Sequence, residues 1–359
     1  LTLLSSVLAL VLVGAGAVSL YANRLTTEFN EGRQTVESGI IPDHEPLEDG
    51  VLNILLLGSD SRGDAENSDE GGGERSDTMM LVHIPEDRES AYVMSIMRDL
   101  WVNIPGYGET KVNAALDYGG YPLVIDTVEE LVGADIDHLA IVDFDGFREL
   151  TTALGGVEVE NSIPFSSGQS NPAFYPEGTI RLEGTDALRF VRERKAFLDG
   201  DYQRVKNQQL FLTAIIRQLL NADTLTDPQK VNDVVSMFTP FITVDESLDA
   251  STIVDYGISL RDLRANNIEM FTIPNAGPGT TSGGASVIWQ DENVMPRLQE
   301  AFRNDDLGAF LEAEGLLEDV EGETEIPDNG GPTGTASPSP ETSTGTDSAS
   351  SSEPTTGQG

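Results

Sequence analysis

Four short clusters in this chain carry residue types that can do chemistry together. The first is Gly58-Ser59-Asp60-Ser61-Arg62, directly after an apolar run; the second is Arg75-Ser76-Asp77-Thr78, leading into another. The third, Arg98-Asp99, closes a third run and is followed by Lys111 and Asn113. The fourth is Arg192-x-Arg194, then Asp201-x-x-Arg204-x-x-x-Gln208. Phosphoanhydride oxygens carry several negative charges, and a planar guanidinium meets such oxygens two at a time. A hard divalent cation such as Mg²⁺ takes oxygen ligands, usually one or two carboxylates plus phosphate oxygens. Asp60 and Asp77 are the natural pair for it. Arginines beside them would stabilise the charge that develops as a phosphoryl bond breaks. The pattern points to a site for a pyrophosphate with Mg²⁺ or Mn²⁺.

Each cluster also has a plainer reading. An Arg-Asp pair after a strand can be a structural salt bridge, Asp77-Thr78 a turn or cap, and Arg192 to Arg194 a solvated helix end that complements the dipole. Arg204 and Gln208, four apart, share a helical face. Arg192 and Arg194, two apart, do not, so either the helix ends there or only one of them reaches a ligand. Scarcity makes the set informative: the chain has 21 basic side chains against 61 acidic ones, a formal net charge of −40. Such a surface repels polyanions and argues against nucleic-acid binding through a broad basic face. The absence of cysteine removes disulfides, thiolate nucleophiles and zinc-cysteine sites together. There is no G-x-S-x-G elbow, no Walker loop and no H-E-x-x-H, and the histidines, His44, His83 and His138, stand isolated.

The elements that must position these clusters can be read from periodicity. Short apolar runs predict strands at 51–57, 78–84, 91–97, 139–144, 157–159 and 268–273. Helical spacing predicts helices at 121–131, 146–154, 184–195, 202–221, 228–238, 251–266 and 292–303, with a Ser-, Pro- and Gly-rich loop at 161–178. Strands interleaved with helices imply an α/β domain on a mixed sheet, where ligands bind beyond the carboxyl ends of strands. Residues 1–22 contain no charged side chain. A helix of that length crosses a hydrocarbon core of roughly 30 Å, longer than a signal peptide's apolar core needs to be. The expected order is therefore an anchor at 1–22, a juxtamembrane spacer at 23–50, a catalytic domain at 51–305, and a tail at 306–359. That tail is acidic, then rich in Ser, Thr, Pro and Gly, and is expected to be disordered.

The series Leu55-Leu56-Leu57-Gly58-Ser59-Asp60-Ser61-Arg62, Arg75-Ser76-Asp77-Thr78, Ser95-Ile96-Met97-Arg98-Asp99, Lys111-Val112-Asn113-Ala114-Ala115, Arg192-Glu193-Arg194 and Asp201-Tyr202-Gln203-Arg204 resembles, in order, the LytR-CpsA-Psr family. The resemblance covers residues 52–220 closely. It implies a three-layer α-β-α fold with a central mixed sheet, and a phosphotransferase. Such an enzyme moves an anionic glycopolymer (teichoic acid, capsular polysaccharide or arabinogalactan type) from a polyprenyl-pyrophosphate carrier to peptidoglycan and releases polyprenyl phosphate. It would work outside the cell membrane, behind a single-pass N-terminal helix.

The family's metal-binding carboxylates fall on Asp60 and Asp77, and its pyrophosphate contacts on Arg75, Arg98, Arg192, Arg194, Arg204 and Gln208. Lys111 matches a position near the phosphates or sugar. Arg75, Arg98 and Asp99 are the candidates for the chemical step, with Asp99 either a base or an orienter of Arg98. Two departures stand out: Asn207 where the family often has arginine, and an acidic insertion at 64–74. A prenyl tail needs an apolar groove, for which Val124, Val128, Phe190, Phe211 and Ile215 are candidates, although such stripes are also ordinary core. A pyrophosphate hydrolase and a non-catalytic lipid-binding wall protein are the rival readings.

Overall fold

The computed structural model describes residues 33–36, 39–41, 50–59, 76–168, 172–219, 239–260 and 263–317. Asp60, Arg75, the insertion at 64–74, the expected anchor at 1–22, the expected helix at 228–238 and the chain from 318 onward lie outside them. For Asp77 the backbone is described and the side chain is not.

The elements in chain order are β1 (Gln34–Thr35), β2 (Leu52–Ser59), β3 (Ser76–Ile84), β4 (Ala91–Ser95), β5 (Trp101–Ile104), β6 (Gly108–Lys111), α1 (Ala114–Val132), β7 (His138–Asp143), α2 (Phe144–Ala153), β8 (Val157–Asn161), β9 (Phe165–Ser167), β10 (Ala173–Tyr175), β11 (Gly178–Leu182), α3 (Gly184–Arg192), α4 (Asp201–Leu219), β12 (Thr243–Val244), α5 (Ala250–Ser259), β13 (Ile268–Thr272), β14 (Asn275–Thr280), β15 (Ser286–Gln290), α6 (Met295–Arg303) and α7 (Leu307–Glu314).

Seven strands form one sheet in the order β1-β12-β7-β2-β3-β4-β13. It is mixed: β2 runs parallel to β7 and β4 parallel to β13, while β3 lies antiparallel between β2 and β4. The carboxyl ends of β2, β4, β7 and β13 therefore share one edge. Alternation splits the strand residues between two faces. Leu55, Leu57, Leu81, Met94, Leu139 and Phe271 pack under α1, α6 and α7. Met80, Val93 and Met270 face the other way, against Leu212 and Ile216 of α4. Helices on both faces make the α-β-α sandwich that the resemblance implies.

A separate cluster fills the space among α2, α3, α4 and the β8–β11 and β9–β10 hairpins, centred on Phe165, Phe190 and Phe211. The five expected prenyl-groove residues divide between these cores. Val124 and Val128, four apart on α1, are fully buried against the sheet, whereas Phe190, Phe211 and Ile215 fill the separate cluster. The structure does not bring them onto one surface, because α1 and α4 cover opposite faces.

Several boundaries differ from the sequence expectation. Part of the presumed spacer belongs to the domain: β1 pairs with β12, and Val36, Ile40 and Ile41 pack on the main core. The domain also continues past residue 305, since Leu307 and Leu311 of α7 are buried at 1% and 0% exposure. The expected loop at 161–178 holds the β9–β10 hairpin. The β5–β6 and β14–β15 hairpins were not expected: β6 and β14 carry no apolar run, although Trp101-Val102 of β5 and Val287-Ile288-Trp289 of β15 do. Among the described residues no helix is long and apolar enough to cross a membrane.

Helix α1 begins earlier than its apolar stripe and is broken at Gly119 and Gly120, the latter at φ +66° and ψ −161°. A Cβ on Gly119 would lie 2.7 Å from the Cβ of Leu123, so only glycine fits there. Pro122 has no N–H, so the Tyr118 carbonyl loses the donor a continuous helix would supply four residues on. The Tyr107 hydroxyl donates to that carbonyl instead, at 3.0 Å.

The described histidines lie at the sheet end opposite Arg98 and the start of β3. His83 is buried between Asn53 Oδ1 at 2.8 Å and Asp305 Oδ1 at 3.0 Å; burial lowers its pKa despite the carboxylate. His138 Nε2 meets the Tyr256 hydroxyl at 2.7 Å, while its Nδ1 faces both Asp245 at 3.2 Å and Ser247 Oγ at 3.3 Å. Serine and aspartate on the same ring nitrogen cannot form a Ser-His-Asp relay, which needs the imidazole between them. This network ties β12 to β7. Burial would raise the pKa of Asp245, but hydrogen bonds from His138, Ser247 and the Leu139 amide outweigh it and hold it at about 2.

A folded value below the ordinary 3.8 stabilises the fold above that pH and loses the contribution as pH falls toward 2. The contribution is about 2 kcal/mol. Asp245→Asn should accordingly lower stability at pH 6 and flatten its decline between pH 4 and 2, read by urea unfolding across that range. Parallel acid limbs in the two proteins would sink this assignment.

Candidate functional site

The chemistry-bearing clusters meet at the edge where β2 and β4 end and β3 begins. Gly58 pairs with Thr78 and Ser59 with Ser76, so Asp77 is the extra residue of a β-bulge. Bulges re-aim side chains and interrupt pairing at sheet edges. Glycine is needed at 58, because a Cβ there would lie 2.9 Å from the Cβ of Thr78. The Ser59 hydroxyl is fully buried and has no hydrogen-bond partner among the described residues.

Past the end of β4 lies a charge network. Asp99 Oδ1 accepts from Lys111 Nζ at 2.8 Å, and its Oδ2 lies 3.5 Å from Arg98 Nε. The β5–β6 hairpin makes this possible: Trp101 pairs with Lys111, which returns the lysine beside the start of the hairpin. Asp201, at the start of α4, is a near neighbour of Asp99 and pairs with Arg204 Nη2 at 3.0 Å. Burial pushes the Asp99 carboxyl up, but the Lys111 hydrogen bond, the Arg98 and Lys111 charges and the Asp201 contact together leave it below the usual carboxylate range.

Helix α4 carries a row of amides that joins this network to the neighbouring elements. Gln208 Nε2 donates to Thr78 Oγ1 at 2.8 Å and to the Val191 carbonyl at 3.3 Å. Asn207 donates to the Phe190 carbonyl at 3.3 Å, and Gln209 reaches Ser95 Oγ at 3.1 Å. The carbonyls at the end of α3 have no intrahelical partner, so Asn207 and Gln208 cap them. At position 207, where the resembled family often has arginine, an amide thus closes the α3–α4 junction, 2% exposed.

Helix α3 stops at Arg192, and Glu193 is extended at φ −67° and ψ 131°. The break settles the geometry of the Arg-x-Arg pair: both arginines line one groove of about 470 Å³. Arg189, Lys195, Glu193 and Ser167 also line it, and Arg192 stacks on Phe144 at 3.9 Å from the ring centroid. Four cations against one acid is a local reversal of the chain's charge.

The structure thus joins Arg98, Asp99 and Lys111 in one ion network, with Arg204 held by the adjacent Asp201. Gln208, one turn beyond Arg204 on α4, bonds Thr78 and the Val191 carbonyl instead, next to Arg192 in sequence. Asp77 sits in the bulge beside Thr78, while Asp60 and Arg75 lie outside the described residues. Sequence reasoning left three residues unassigned. Asp201 stood inside a motif without a role, Arg189 precedes Arg192 by three and so shares its helical face, and Lys195 is adjacent to the pair.

Comparison with known proteins bears on the fold and the family. A model of the LytR_cpsA_psr family matches residues 19–304. The chain is 32% identical over 314 residues to the cell wall biosynthesis protein LcpA of Corynebacterium glutamicum, covering 76% of this chain and 58% of that one. It thus spans just over half the length of that relative. It is 30% identical over 302 residues to the polyisoprenyl-teichoic acid–peptidoglycan teichoic acid transferase TagU of Enterococcus faecalis, covering 83% of this chain and 93% of that one. Among solved structures, Bacillus subtilis TagV superposes with a TM-score of 0.61 at 22% identity, covering 72% of this chain and 98% of that one. TagT bound to LI-WTA superposes with a TM-score of 0.54 at 25% identity, covering 76% and 96%. Sheet order, motif order and family model agree over the same stretch, and the chain belongs to the LytR_cpsA_psr family.

Proposed function

We propose that this chain is a phosphotransferase that moves an anionic glycopolymer from a polyprenyl-pyrophosphate carrier to a peptidoglycan hydroxyl, outside the membrane and behind an N-terminal anchor. The observation that carries the reading is charge placement. In a chain of net charge −40, Arg98, Lys111 and Arg204 converge at one sheet edge beside a groove with four further cations. The E. faecalis relative bears the name of such a transferase.

The acceptor hydroxyl oxygen attacks the phosphorus nearest the sugar. The anhydride P–O bond breaks, polyprenyl phosphate leaves with the bonding pair, and the departing phosphate oxygen takes up the hydroxyl proton. Arg98 and Arg204 oppose the charge that develops on the phosphoryl oxygens, and Arg192 and Arg194 hold the carrier's phosphates. Asp99 serves as an orienter, because both its oxygens are engaged and its depressed pKa makes it a weak base. The donor set suits a hard divalent cation. In sequence Asp60 directly follows Ser59, whose buried hydroxyl is orphaned, and Asp77 is the bulge residue between the partners of Gly58 and Ser59. Mg²⁺ or Mn²⁺ held there would offset pyrophosphate charge.

The test incubates the full chain with a polyprenyl-pyrophosphate-linked glycan and Mg²⁺, with and without peptidoglycan oligomers. Release of polyprenyl phosphate that depends on the oligomers is expected. Release without them would make the protein a hydrolase, and tight carrier binding with no cleavage would make it a lipid-holding wall protein.

A further inference from the structure

Tyr107 and Tyr118 are among the few large apolar side chains left in solvent, 58% and 46% exposed. Their rings stack with centroids 4.8 Å apart and 21° between planes. Tyr107 occupies the turn of the β5–β6 hairpin, between Gly106 and Gly108, both at positive φ. Tyr118 ends the first segment of α1, immediately before its break. The bond from the Tyr107 hydroxyl to the carbonyl that Pro122 leaves without a helical donor locks the two together. Two aromatic rings are thus held out into water by a device that burying them would not require.

We propose that this pair is a stacking platform for the sugar rings of an uncharged glycan strand, the acceptor of the transfer. The inference rests on the transferase reading and names the acceptor's subsite. Aromatic faces carry partial negative charge and attract the polarised C–H faces of a pyranose ring. The surroundings select against an anionic ligand: Glu109 and Asp117, two residues from Tyr107 and next to Tyr118 in sequence, are both exposed. A polyanionic donor suits the basic groove on the α3 side, and a neutral strand suits this side. Position fits as well. Lys111, partner of Asp99, ends the strand that begins at Gly108. At about 3.3 Å per residue Tyr107 lies about 13 Å from Lys111, within reach of a short oligosaccharide whose end occupies the site. Because the rings are already ordered, little conformational entropy is lost on binding.

The probe is chitotetraose, a neutral β-1,4-linked N-acetylglucosamine tetramer, titrated into the full chain by calorimetry. Tyr107→Ala/Tyr118→Ala should weaken its binding at least about tenfold. Tyr118→Phe, which keeps the ring, should bind within about threefold of the parent. In the transfer assay the double variant should raise the KM for peptidoglycan oligomers by a similar factor and leave the KM for the lipid-linked donor unchanged. Matching melting temperatures would show that the double variant folds. Unchanged chitotetraose affinity, or equal changes in both KM values, would overturn the platform. So would a variant that keeps chitotetraose but loses binding to phosphatidylglycerol vesicles, since the tyrosines would then be a membrane-surface contact. If no oligomer-dependent transfer occurs at all, the transferase reading falls, and the calorimetric arm still decides the glycan site.

Discussion

Arg98→Ala is expected to lower the turnover of glycopolymer transfer by about 10²–10³-fold while weakening donor binding less than about tenfold. The asymmetry follows from how the side chain is held. Arg98 is 14% exposed and lies 3.5 Å from Asp99, whose other oxygen is tied to Lys111. A guanidinium aimed in advance costs no reorganisation when charge develops on the phosphoryl oxygens, so its effect concentrates in the transition state. Arg98→Lys keeps the charge but loses the fork and should fall between the parent and the alanine variant. Turnover under saturating donor, set beside the dissociation constant of a non-hydrolysable carrier analogue, separates the two effects. Equal losses in both would reduce Arg98 to a binding residue.

Arg204→Ala should cost about 3 kcal/mol of folding stability in addition to activity. The Arg204 side chain is 4% exposed and its partner Asp201 22%. Removing the guanidinium leaves Asp201 beside Asp99 with its own nearest cation gone. The partial exposure of Asp201 lets water offset some of the loss, which places the figure at the lower end of the range for broken buried pairs. Adding Asp201→Asn to Arg204→Ala should recover part of the stability, since the stranded charge is then absent. Urea unfolding of the three variants reads this directly. An unchanged midpoint for Arg204→Ala would mean that the pair does not hold the start of α4.

Comparable reasoning marks where the sequence was legible. The apolar runs of β2, β3, β4 and β13 declared themselves because buried strands of a sandwich need hydrophobic residues on both faces. Their ends fall within a few residues of the periodicity reading. The β5–β6 and β14–β15 hairpins stayed hidden, since Gly-Glu-Thr-Lys and Asn-Ala-Gly-Pro-Gly-Thr have neither apolar alternation nor strand propensity, and the runs of β5 and β15 are only a few residues long. Their order comes from contacts distant in sequence, such as the Leu100–Ile288 bridge. The same hairpin brings Lys111 to Asp99 and raises Tyr107 into solvent, so what was least readable carries part of the site.

By itself the sequence determined the chemistry on offer. Scarce basic residues, spaced acids and their order along the chain pointed to a pyrophosphate site and resembled a family, because residue type and spacing suffice to state which charges can be present. Only the tertiary structure decided which of those groups meet. Whether Arg192 and Arg194 face one groove depended on where α3 ends, and that end is capped by Asn207 and Gln208 from another helix. Whether Val124 and Phe211 could share a surface depended on which face of the sheet each helix covers. Helix ends, side-chain caps and layer assignment are settled by long-range packing, which no local pattern encodes.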